Sequence, residues 1–258
     1  MIPGLPKVLE SEPWPGCAGP PFVRIPRRAR WPHAACNSGV NSDKGSGVSA
    51  GMSQETVQSY MLWIDGVGSW LVVCGRSVVL GGAVESSAAD IRLMAPMSRR
   101  HAEFEQSDEG WTMRVPGTGE ANAGAGAGAQ RATMLTSGQV LEFPGRVQLE
   151  FRVPNVLSVS AVLVPEAPQR LVPYADGIVL LADRMLIGPR RDAHICCPQL
   201  SDQFVFYLRE GRMCCRSAGR FMVNGTDVEQ VVELCDGDVI VSGEFRVRIE
   251  DVAVREVG

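Results

Sequence analysis

The chain has 258 residues, 45% of them hydrophobic and 21% charged, with a formal net charge of −4 and a mean hydropathy near zero. That make-up describes a globular protein with material for two modest domains and excludes a fibrous chain or one unfolded throughout. With a pI of about 5.5 there is no global basic field, so nucleic acid and anionic membrane are not expected partners and any anion site must be local.

No apolar run reaches the roughly 18 residues that span a bilayer, and the amino terminus shows no charged head followed by an apolar segment. A cytoplasmic location is expected. The 8 cysteines are diluted along the chain, which points to free thiols rather than a disulfide framework. Cys196–Cys197 and Cys214–Cys215 are adjacent pairs whose members face opposite sides of a strand. No CxxC phrase occurs; His194 near Cys196 is the one weak metal candidate, and neither metal nor organic cofactor is expected.

In chain order, residues 1–51 hold 8 of the 17 prolines and show neither a period of two nor one of 3.6. A disordered tail is expected over residues 1–58, with Met52 as an alternative start. Its Arg24, Arg27, Arg28 and Arg30 read as a solvated stretch before they read as a partner arm.

From Tyr60 onward the pattern is β. In RVQLEFRV, Val147, Leu149, Phe151 and Val153 alternate with Arg146, Gln148, Glu150 and Arg152, which places one apolar face against a core. EFRVRIEDV does the same with Phe245, Val247 and Ile249, and WTMRV with Trp111, Met113 and Val115. Asp65-Gly66, Gly75-Arg76, Glu210-Gly211, Asn224-Gly225 and Asp236-Gly237 supply turn chemistry. Arg76 is expected at a hairpin tip between SWLVV and SVVL. Many short strands with such turns imply a sandwich or barrel.

The order of phrases then repeats. VVLGG, ADIRL, MSRRHAEFE, EGWTMRV, LTSGQVLEF and RVQLEFRV are followed later by MLIGP, AHICC, LSDQFVFYL, EGRMCCR, LCDGDVIVS and EFRVRIEDV. Ser98 corresponds to Ser201, an offset of 201 − 98 = 103 residues. Two copies of one β domain are expected, at 59–165 and 169–254, with PEAPQR at their junction. The apolar PNVLSVSAVLVP between them suggests a shared interface rather than a loose linker.

A strand ending in glycine, an x-D-I-x-L strand, then SRRHA and a strand entered by GQVL or GDVI resemble the forkhead-associated (FHA) domain family, clearly in the first copy and in degenerate form in the second. The resemblance implies an all-β protein of two tandem antiparallel sandwiches, one end of which binds phosphothreonine peptides. It implies that Ser98, Arg99 and Arg100 form the phosphopeptide-binding corner, and that His101 and Gly81 are structural. The implied function is phosphorylation-dependent protein recognition in signalling; the alternative is a structural or scaffold protein binding partners without phosphate.

Two features depart from the family. Gly82 and Pro189 occupy the place of the arginine that grips phosphate, and GTGEANAGAGAGAQRA replaces the asparagine loop, with Asn122 as its remnant. In the second copy Phe204 stands where the first has His101, which marks that copy as structural. An enzyme is not expected: there is no GxSxG elbow, and a serine three residues before its own base on a turn seldom has the required approach.

Overall fold

A computed structural model of the protein describes residues 57–84, 87–116 and 132–252. The expected tail up to residue 56, and Asn122 with its glycine–alanine segment, lie outside the described residues. The strands are β1 (Gln58–Ile64), β2 (Gly68–Cys74), β3 (Ser77–Gly82), β4 (Ile91–Leu93), β5 (Ala102–Ser107), β6 (Gly110–Arg114), β7 (Ala132–Met134), β8 (Gln139–Phe143) and β9 (Val147–Arg152). They continue as β10 (Ala161–Pro165), β11 (Leu171–Val172), β12 (Gly177–Leu181), β13 (Arg184–Gly188), β14 (Ile195–Cys196), β15 (Phe204–Arg209) and β16 (Arg212–Ser217). The last are β17 (Phe221–Val223), β18 (Thr226–Val228), β19 (Val231–Glu233), β20 (Val239–Ser242) and β21 (Phe245–Val252). One 3-10 turn, Pro168–Arg170, precedes β11.

The chain is all-β, and its strands form three sheets. A ten-stranded sheet runs β18-β17-β20-β21-β1-β2-β12-β10-β9-β8, flanked by a six-stranded sheet β11-β4-β3-β5-β6-β7 and a five-stranded sheet β14-β13-β15-β16-β19. Most pairs are antiparallel; β2–β12, β3–β4 and β13–β14 are parallel.

The order of the long sheet is close to a palindrome. β9 pairs with β10, which begins 103 residues after β1 and so opens the second repeat on the offset of Ser98 to Ser201, although the expected boundary at 165 puts it in the first; the last strand of the second repeat, β21, pairs with β1. Each repeat therefore closes against the opening strand of the other. The parallel pair β2–β12 sits at the centre, with Val72 opposite Val179 and Leu71 opposite Ile178.

This arrangement gives two cores on opposite faces of one sheet. Met61, Leu71, Val73, Leu163, Ile178 and Leu180 face a core that also holds Leu80, Ile91, Phe104 and Phe151. Leu62, Val72, Cys74, Val162, Val179 and Leu181 face the other, with Phe204, Phe206, Phe221 and Phe245. Strands buried on both faces must be apolar throughout rather than alternating, as GIVLL, fully buried at all five positions, shows. Outer strands keep the alternation seen in the sequence: Val147, Leu149 and Phe151 are buried, as are Phe245, Val247 and Ile249.

Asp65-Gly66, Glu210-Gly211 and Asn224-Gly225 do turn hairpins, joining β1–β2, β15–β16 and β17–β18. Gly75-Arg76 does not. β2 and β3 lie in different sheets, so Arg76 marks a crossing between sheets, where the Gly75 N–H donates to the Leu181 carbonyl and the Arg76 carbonyl accepts from Gln106. Asp236-Gly237 likewise connects two sheets, between β19 and β20. Among the described residues no helix is long and apolar enough to cross a membrane.

Candidate functional site

The corner Ser98–His101 connects β4 to β5 and wraps over the end of β3. Gly82 donates its N–H to the Ser98 carbonyl at 2.9 Å, and His101 donates its N–H to the Leu80 carbonyl at 2.8 Å. Chain direction alternates side chains across β3, so Gly81 faces outward while Leu80 and Gly82 face the core. The corner passes both sides. A Cβ on Gly82 would lie 2.8 Å from the Met97 carbonyl oxygen, and a Cβ on Gly81 would lie 1.8 Å from that of Arg99. Only glycine leaves room for the wrap at either position.

Further contacts hold the corner from behind. The buried Ser87 hydroxyl donates to the Arg99 carbonyl at 3.4 Å. The segment before the corner is tied to the junction between repeats, because Met94 donates to the Arg170 carbonyl and Arg170 Nη1 donates back to the Met94 carbonyl at 2.9 Å. The His101 ring stands edge-on to Phe143, with centroids 6.2 Å apart. Turn residue Gly145 packs against Pro96 and Ala95 from the β8–β9 hairpin.

Ser98, Arg99 and Arg100 are exposed. The Ser98 hydroxyl donates to the Arg100 carbonyl at 2.9 Å, which closes the turn on itself. The N–H groups of these three residues have no acceptor among the described residues. Successive free N–H groups on a fixed turn form a concave, positively polarised surface suited to an anion. Neither Arg99 nor Arg100 takes part in an ion pair among the described residues.

Asp90, just ahead of β4, is tied to β3. Its N–H donates to the Val79 carbonyl at 2.9 Å and its carboxylate accepts the Val79 N–H at 2.8 Å. Burial pushes its carboxyl up to about 6, against the opposing pull of the Val79 N–H and the Arg100 charge. Neither Asp90 nor Ser87 has a place in the implied binding corner; the D of ADIRL is the signal that could have pointed to the first.

The equivalent corner of the second repeat has different chemistry. Ser201 donates to Asp202 at 3.0 Å, so a carboxylate stands where the first repeat has Arg99. Arg190 is paired with Asp192 at 3.3 Å. Phe204 is fully buried and lies 5.2 Å from Phe221 and 5.3 Å from Phe245, centroid to centroid, where His101 in the first repeat is half exposed.

His194 is buried, with Nδ1 accepting the Leu186 N–H at 3.1 Å and Nε2 at 3.3 Å from the Ser160 carbonyl. That pattern fixes the neutral tautomer with the proton on Nε2, and burial lowers its pKa further. Both ring nitrogens are committed to the main chain, and no group of three metal-ligating side chains occurs among the described residues.

The architecture is all-β, three sheets enclosing two cores, with one exposed, arginine-bearing corner. No family model matches the chain, and no curated protein matches it. Among solved structures it is similar to Mycobacterium tuberculosis EmbR in complex with a low-affinity phosphopeptide, at 19% identity over 31% of this chain and 22% of that one, with a TM-score of 0.26. It is similar to the FHA structure of Rv0020c at 15% identity over 76% of this chain and 94% of that one, TM-score 0.17. The N-terminal FHA domain of EssC, a component of the bacterial type VII secretion apparatus, is 12% identical over 75% of this chain and 95% of that one, TM-score 0.21.

Proposed function

We propose that this protein is a phosphorylation-dependent recognition module in which the corner Ser98–Arg100 of the first repeat binds phosphothreonine in a protein partner. The observation that supports it most is the exposed turn itself: among the described residues its three N–H groups have no acceptor and its two arginines take part in no ion pair, and the turn passes over Gly81 and Gly82. A phosphate dianion accepts several charge-assisted hydrogen bonds, and a rigid donor array of this kind matches it. Gly81 and His101 serve the site by shape: one gives the corner room, the other seats it on Phe143. The second repeat, with Asp202 at its corner, disfavours a phosphate there and serves as a structural partner. The protein acts by binding rather than catalysis, in the cytoplasm, as part of signalling.

A second reading has one observation in its favour. The Ser98 hydroxyl is already spent on Arg100 and no arginine follows Gly81, so the tandem sandwiches would bind partners without phosphate. Calorimetric titration of the whole chain with a degenerate phosphothreonine peptide pool, beside the same pool unphosphorylated, separates the two. Binding confined to the phosphorylated pool and lost in Ser98→Ala supports phosphate recognition. Equal binding of both pools, or none, rejects it.

A further inference from the structure

Gly82 carries no charge, so the end of β3 supplies no cation to a phosphate held at this corner. β3 and β4 pair in parallel with Leu80 opposite Ile91, Gly81 opposite Arg92 and Gly82 opposite Leu93. Leu80, Ile91 and Leu93 are fully buried in the core, which places Gly81 and Arg92 together on the outward face. Neighbouring strands lie about 4.8 Å apart, so the arginine stem rises directly beside a position that has only a hydrogen.

That position is where the corner lies. The Arg99 carbonyl would stand 1.8 Å from a Cβ on Gly81, and the Ser98 carbonyl 3.1 Å from it. Arg92 and the corner therefore cover the same patch of sheet. On its other side Arg92 faces Val172 of β11, so neither cross-strand neighbour offers it a charge. It is half-buried and takes part in no ion pair among the described residues. Arg100, by contrast, has the carboxylate of Asp90 within electrostatic reach.

From this register we infer that Arg92 is a phosphate-binding residue, supplying from β4 the guanidinium that the end of β3 lacks, with Arg99 as the second cation. The ligand class is a phosphomonoester dianion. The inference rests on the phosphothreonine reading of the corner and adds a residue to it. A planar guanidinium presents two parallel donors to phosphate oxygens, and its half-buried stem limits the freedom lost on binding.

The test uses the whole chain and a fluorescein-labelled degenerate phosphothreonine peptide pool, with its unphosphorylated counterpart as control. Arg92→Gln is expected to weaken binding of the phosphorylated pool by about ten- to hundredfold, the worth of one charged hydrogen-bonding partner, with the melting temperature unchanged. Arg92→Lys keeps the charge and is expected to fall between the two. If Arg92→Gln binds like the wild type while Ser98→Ala does not bind, Arg92 is no ligand and the corner reading survives alone. If Arg92→Gln and Arg92→Lys lower the melting temperature together with binding, the loss comes from shape and the inference fails. A wild type that does not distinguish the pools overturns both.

Discussion

Gly82 and Met97 are so close that a Cβ on the glycine would stand 2.8 Å from the methionine's carbonyl oxygen. A side chain at residue 82 and the wrapped corner therefore exclude one another. The absence of a charged side chain here is built into the backbone path, since the 97–99 segment occupies the space on both sides of the end of β3.

Placing an arginine there is accordingly expected to harm the protein. Gly82→Arg should cost about 1–3 kcal/mol of stability by overpacking, seen as a lower midpoint in urea, and should weaken any phosphopeptide binding. Improved binding at unchanged stability would show that the corner yields.

Asp90 should make stability depend on pH in an uncommon direction. Its carboxyl titrates near 3.8 when exposed and at about 6 in the fold, because burial disfavours the charge. The folded state thus binds the proton more tightly, and this contribution is complete below about pH 4 and lost as pH rises through about 6. Asp90→Asn retains an acceptor for the Val79 N–H without the charge. It should be more stable than the wild type at pH 7 by about 1–3 kcal/mol, with the difference vanishing near pH 4. Urea titrations at both pH values would show this; a gain of equal size at each would mean that the carboxylate is not the cause.

The sequence discloses those strands that have one wet face. Val147, Leu149 and Phe151 alternate with polar residues because solvent lies on the other side, and Phe245, Val247 and Ile249 do so for the same reason. GIVLL and the YML of β1 carry no such rhythm, since both faces are covered, and an unbroken apolar run does not say by which neighbours. The exchange of closing strands is invisible for that reason: Ser59 pairs with Val252, residues that no local phrase connects. Gly75-Arg76 is misleading in a different way, because the same turn composition serves a hairpin and a crossing between sheets. SRRH is recognisable from its own residues, whereas Arg92 is an ordinary polar position in a strand until Gly81 is placed opposite it.

The shared sheet makes a last prediction about cooperativity. Ile178 and Val179 are neighbours on β12, both fully buried, yet Ile178 belongs to the core with Phe104 and Phe151 while Val179 belongs to the core with Phe204 and Phe245. If the repeats unfolded independently, Ile178→Ala would lower one transition and Val179→Ala the other. Because β1, β2, β10 and β12 line both cores, loss of either core removes one wall of the other. The whole chain is therefore expected to unfold in a single transition that both substitutions lower, Ile178→Ala by about 2–5 kcal/mol and Val179→Ala by somewhat less, having fewer methylenes to lose. Calorimetry and near-ultraviolet circular dichroism, which follow heat and tertiary packing separately, should give coincident midpoints. Two resolved transitions, each moved by only one of the substitutions, would show that the exchanged strands do not couple the repeats.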